Sequence, residues 1–154
     1  MKNDYYDVAI NDLLYLQVTL NTPYYNNIAV NAQQVAEKML KSVAERVCVG
    51  VEKLMHTHNL RALYTEIHKI EPDFILDKGS LSILKDLYFD AKYPGDNFVT
   101  VTREECDECL EIMYAVIGAV HSLRAKYSLP CQEVEERYIC QSTYLDEQQK
   151  TGGL

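Results

Sequence analysis

Four groups of residues in this 154-residue chain have the types and spacing to do chemistry. His56 and His58, with Lys53 and Arg61 near them in sequence, suit an anion or nucleotide site, because imidazole and the amides of a helix N-terminus both accommodate phosphate. The same stretch has an architectural reading, in which Asn59 and His58 cap the helix that follows. Tyr88, Lys92, Tyr93 and Asp96 form a second candidate, with aromatic faces to stack a base and Lys92 to meet its phosphate. The alternative there is a packed turn set by Pro94 and Gly95, with Tyr rings plugging one end of the fold. Arg61 and His68 are seven positions apart, so on a helix they share a face about 10 Å apart along the axis. Cys106 and Cys109 are spaced like a metal or redox pair. Inside a helix, with neither a second Cys pair nor a His at ligand spacing, they read as buried thiols, and no metal or cofactor is expected. No glycine-rich phosphate loop, serine-nucleophile signature or dinucleotide fingerprint is present.

The elements that must position these residues are helical by periodicity. Asp4 can cap a first helix over about residues 5–20, with Val8, Ile10, Leu13, Leu14, Leu16 and Leu20 mainly on one face. A central helix follows from about Tyr25 to Val49, its stripe formed by Ile28, Val35, Met39 and Val43 with Ala32, Ala36 and Leu40 between them. Its polar members Asn31, Gln33, Gln34, Glu37 and Lys38 are expected to face solvent or a second copy. Gly50 is the one candidate glycine stop. After a break at residues 56–59 a shorter helix runs from Leu60 to Ile70 and stops before Pro72. Another spans about Ser80 to Ala91, Tyr93 to Asp96 turn, and 98–101 is extended. Thr102 and Glu105 form a capping box for a last helix to about Tyr127. The acidic run 104–108 sits in its first turn, where the helix dipole favours carboxylates. The expected architecture is all-α, an antiparallel four- to five-helix up-and-down bundle over 1–130. An acidic, partly flexible extension covers 131–154, frayed from Gln148 onward.

Charge narrows the partners. The net charge is -8, and residues 1–70 balance seven Lys/Arg against seven Asp/Glu. Residues 71–154 carry eight Lys/Arg against sixteen Asp/Glu, so all of the excess is in the second half. An acidic surface repels a phosphate backbone, so DNA and non-specific nucleic-acid binding are disfavoured, leaving room for a local basic site. No stretch approaches the roughly 20 apolar residues that span a bilayer, and no signal-like N-terminus is seen. A cytoplasmic protein without membrane contact, its cysteines reduced, is the expectation.

Three segments together resemble the HEPN family of prokaryotic helical bundles: Asn31-Ala-Gln-Gln-Val-Ala-Glu-Lys-Met-Leu-Lys41, His56-Thr-His-Asn-Leu-Arg-Ala-Leu63 and Leu87-Tyr-Phe-Asp-Ala-Lys-Tyr-Pro-Gly95. Their order and spacing match across roughly residues 5–128. The third segment departs from the usual Arg-Tyr-Pro by carrying Lys92, which keeps the charge but loses the planar bidentate fork. The resemblance implies a four- or five-helix bundle, commonly a homodimer, in one of two settings. Some members look like non-catalytic modules that bind nucleotides or RNA, whereas the ribonuclease members act as toxins, often paired with a small nucleotidyltransferase antitoxin, so that a toxin–antitoxin pair with a nucleotidyltransferase partner is one implied setting. These ribonucleases are metal-independent and resemble one another in an Arg followed by a His with four to six residues between them, a polar residue standing directly after the Arg. There the His moves a proton and the Arg stabilises charge on the phosphate. Only Arg61 and His68 have that spacing here, and Ala62 stands at the polar position. The expected function is therefore a nucleotide-, RNA- or partner-binding module. A ribonuclease using Arg61 and His68 is the alternative, and a self-associating scaffold the second alternative.

Overall fold

A computed structural model describes residues 4–139, and every regular element within them is helical. They are α1 (Tyr5–Val18), α2 (Tyr25–Val47), the single turn α3 (Glu52–Met55), α4 (Leu60–Ile70), α5 (Lys78–Lys92) and α6 (Arg103–Lys126). Local signals account for most of the ends. Asp4 accepts from the Asp7 amide at 2.8 Å, Asn59 from the Ala62 amide at 3.2 Å, and the Thr102–Glu105 capping box closes in both directions. Each cap satisfies main-chain donors that the first turn leaves without a partner.

Helix α2 is the hub, packing against every other helix, and its stripe from Ile28 to Val43 is buried. Cys106 and Cys109 of α6 face this core; burial pushes both thiols up, Cys109 to about 12, so they behave as small apolar groups. Asn26, in the first turn of α2, donates to the Ala91 and Val99 carbonyls and accepts from the Val101 amide at 2.7 Å. One side chain thus pins the extended 98–101 piece and with it the geometry between α5 and α6.

Three local expectations are corrected. Helix α5 begins at Lys78, because Asp77 and not Ser80 caps it, accepting from both the amide and hydroxyl of Ser80 at 2.9 Å. Helix α2 ends at Val47 and not Val49, and before the expected break at 56–59 the chain adds the single turn α3, reached through Gly50 at φ +71, a left-handed conformation that favours glycine. Leu14 is exposed, because Tyr6, Ala9, Ile10, Leu13 and Leu16 already fill the α1 face that meets α2.

Residues 130–139 return along α1 and α6. Arg124 lies 3.7 Å over the Tyr6 ring and donates twice to the Pro130 carbonyl. The Tyr6 hydroxyl accepts from the Gln132 amide, which leaves its proton for His121 Nε2 at 2.9 Å. The Tyr114 hydroxyl accepts from the Arg137 amide and donates to its carbonyl, Asp107 accepts from the Ile139 amide, and Ile139 is fully buried. The expected fraying from Gln148 falls outside the described residues.

Burial of His121, with the Arg124 guanidinium beside it, lowers its proton affinity from the ordinary 6.5. As pH falls, the unfolded chain takes up this proton first. The stability it contributes is present above about pH 6.5 and lost as pH drops through the lower folded value. Denaturant midpoints at about pH 7.5 and about pH 5 should show the decline. It should be shallower in His121→Gln, which keeps an acceptor for Tyr6; equal slopes would assign the decline to other groups.

Candidate functional site

Gln33, Glu37 and Lys41 recur every fourth residue along α2 and are all buried, at 0%, 3% and 4% exposure. Solvent or a second copy was the expectation for Gln33 and Glu37. The structure corrects it: α2 is enclosed by its neighbours, so its polar side has to be satisfied inside. Lys38, the outward neighbour, pairs with Asp12 of α1. A polar group taken from water without a partner is costly, and the file is accordingly cross-linked. Lys41 Nζ donates to Glu37 Oε2 at 3.1 Å, and Gln33 Nε2 donates to Glu37 Oε1 at 3.3 Å.

The file reaches the surface through His58. Its Nδ1–H donates to Glu37 Oε1 at 2.8 Å, and its carbonyl accepts from Gln33 at 3.4 Å. The His58 side chain is half exposed, and its ring lies 5.8 Å from that of Tyr88, which is buried. One turn along α5, Lys92 donates to the Tyr88 hydroxyl at 3.0 Å. That bond holds the Lys92 ammonium above its ordinary range. Glu37 fixes the tautomer and orientation of His58, leaving Nε2 as the second ring nitrogen for an outside group. Glu37 and Lys41 cancel each other's charge, so Lys92 presents positive charge beside His58 in an otherwise acidic molecule.

Of the residues singled out in the sequence, His58, Tyr88 and Lys92 are thus brought together. Tyr93 is exposed and 5.4 Å from Lys92 Nζ. His56, at the end of α3, and Asp96, in the turn after α5, are exposed and make no side-chain hydrogen bond among the described residues. Of the two residues read as caps, Asn59 caps α4 and His58 does not, because its ring is committed to Glu37. Arg61 and His68 lie on α4 but share no partner. Arg61 donates to the Ser82 hydroxyl at 3.1 Å, whereas His68 stacks on Tyr64 and its Nδ1–H donates to the Phe74 carbonyl at 2.9 Å. Among the described residues no group of three or more His, Cys, Asp or Glu is placed to hold a metal ion, and no helix is long and apolar enough to cross a membrane.

The HEPN domain family model matches residues 3–123, most of the chain and all of the helical body up to the last turn of α6. The chain belongs to the HEPN family. Neither a curated protein nor a solved structure matches it. Membership is consistent with a module concerned with nucleotides or RNA. All three segments that carry the HEPN resemblance contribute to the one polar site: Glu37 and Lys41 from the first, His58 from the second, Tyr88 and Lys92 from the third. Gln33, Glu37 and Lys41 were missed as site residues. The signal that could have found them is a polar file on a helix with apolar residues on too many of its other faces to leave a solvated one.

Proposed function

We propose that this HEPN protein is a binding module for a nucleotide or a short stretch of RNA, held at the surface formed by His58, Lys92 and Tyr93 over the buried Tyr88, and that it cleaves neither. The observation that carries this reading is the run of hydrogen bonds tying the exposed His58 to the buried Glu37–Lys41 pair and setting its ring against Tyr88, next to Lys92. Lys92 supplies charge for a phosphate, His58 a fixed ring nitrogen at its edge, and the exposed Tyr93 ring a stacking face. Calorimetric titration with AMP and with a short oligoribonucleotide tests it. His58→Ala and Lys92→Ala should each weaken binding about tenfold, corresponding to about 1.4 kcal/mol. Lys92→Arg should tighten it, because a guanidinium grips phosphate with two donors. Absence of binding heat with both ligands would remove the reading.

One observation favours the ribonuclease reading as runner-up. The His68 Nδ1–H is tied to the Phe74 carbonyl, which leaves Nε2 to take a proton. RNA cleavage by the wild type, abolished in Arg61→Ala and in His68→Ala, would reverse the ranking.

The module is further proposed to act as a homodimer and beside a nucleotidyltransferase, as one half of a toxin–antitoxin pair. Self-association is supported by residues 13–36, which contain no Asp, Glu, Lys, Arg or His, while Leu14, Tyr15, Val18 and Tyr24 within them are exposed. An apolar, uncharged corner on an acidic chain is where two like-charged copies repel least. Light scattering should give a dimer for the wild type and a monomer for Val18→Glu. A wild-type monomer would discard the homodimer and leave the nucleotide site unaffected.

A further inference from the structure

A groove runs along α6 on the side that meets the 71–77 connection between α4 and α5 and the first turn of α5, and it contains two cavities, of about 260 and about 280 Å³. The first has an apolar floor that includes Leu81, Ile112 and Val116, and a rim of Asp77, Glu108 and Glu111. The second is floored by Phe74, Ala119 and Leu123, and its rim carries Asp73 together with Glu71, which is paired with Lys126 at 2.6 Å. Ala115 and Ala119, small residues on this side of α6, keep the groove open between them. No basic side chain lines the first cavity, and Glu108 and Glu111 are exposed and in no ion pair among the described residues.

This distribution selects the occupant. Three carboxylates at one cavity repel RNA and anionic membrane surfaces alike. A second copy of the chain would bring its own net charge of -8. What the groove complements is apolar surface flanked by cations. We propose that it docks a basic amphipathic helix of a partner protein, with Lys or Arg beside Glu108 and Glu111 and one apolar side chain in each cavity. Residues 112 and 122, one at each cavity, are about 15 Å apart along α6. A bound helix spans that distance in about three turns, so anchors eleven positions apart would lie on one face. The surface shares no residue with the His58 site, so failure of the nucleotide titration would leave it standing.

Fluorescence anisotropy of the full chain with a labelled synthetic helix tests the proposal. The peptide is about 18 residues long, with Leu anchors about eleven apart and Lys between them; its counterpart has Glu for every Lys. The Lys peptide should bind saturably and the Glu peptide should not. Glu108→Gln/Glu111→Gln, which removes rim charge, and Ala115→Phe, which fills the groove, should each weaken binding about tenfold or more. Glu52→Gln/Glu133→Gln, an equal change of charge on other exposed surface, should leave it within about twofold. Equal loss in that control would show diffuse attraction to an acidic protein and overturn the proposal. So would unsaturable binding, or equal binding of the two peptides.

Discussion

Glu37→Leu is expected to destabilise the fold by about 3–5 kcal/mol, because it leaves the buried Lys41 ammonium without its carboxylate. Both side chains are about 5% exposed, so water cannot replace the lost partner. The double variant Glu37→Leu/Lys41→Met should recover most of that loss. Two charges are then removed together, and well-packed apolar residues can match or exceed a buried ion pair in stability by about 1–4 kcal/mol. Urea unfolding of the two variants checks the sign and the recovery. Their binding should not follow their stability. In both, His58 has lost the carboxylate that orients its ring, so the double variant should be well folded and still bind nucleotide poorly. A single variant as stable as the wild type would mean that the pair contributes nothing. A double variant that bound normally would remove Glu37 from the site.

Truncation after Pro130 is expected to destabilise the fold at least as much as the loss of the Ile139 side chain alone, although the family match ends at residue 123. Full burial of Ile139 supplies roughly 1.5–3 kcal/mol. The bonds from the 132–139 main chain to Tyr6, Tyr114 and Asp107 add about 1 kcal/mol each before the entropy of ordering the segment is subtracted. Ile139→Ala in the full-length chain isolates the apolar part and should lose about 2–3 kcal/mol. Unchanged urea midpoints for both would end the cooperative body at residue 130, where composition alone places its boundary. A loss in both would extend it to residue 139.

What could be read without coordinates was whatever the chain decides within a few residues. The all-helical class, the capping box at Thr102, the start and stop of α4 and the burial of the Cys106–Cys109 pair follow from periodicity, caps and proline, which act at spacings of three and four residues; the HEPN membership was legible only as a resemblance carried by the three segments 31–41, 56–63 and 87–95. His58, Tyr88 and Lys92 were also legible as candidates, because they stand in short segments whose residue types suit phosphate and a base.

Only the tertiary structure decided how these candidates relate. Helical spacing tells which residues share a face but not whether that face meets water. Gln33, Glu37 and Lys41 look like a solvated edge until the other helices close over α2 and they find their partners in one another, in His58 and, for Gln33, in Gln34. The same enclosure turned His58 from a cap of α4 into the outward end of a buried network. It also set Tyr88 and Lys92, thirty and thirty-four residues further along, beside that end. Arg61 and His68 show the converse: seven positions on one helix guarantee a common face, but Ser82 and the Phe74 carbonyl, brought in by α5 and the turn before it, hold the two apart. The sequence by itself determined the helices, the family and the residue types available to a site. Which of those residues meet was decided by long-range packing, because burial is a property of what surrounds a side chain and not of its neighbours in sequence.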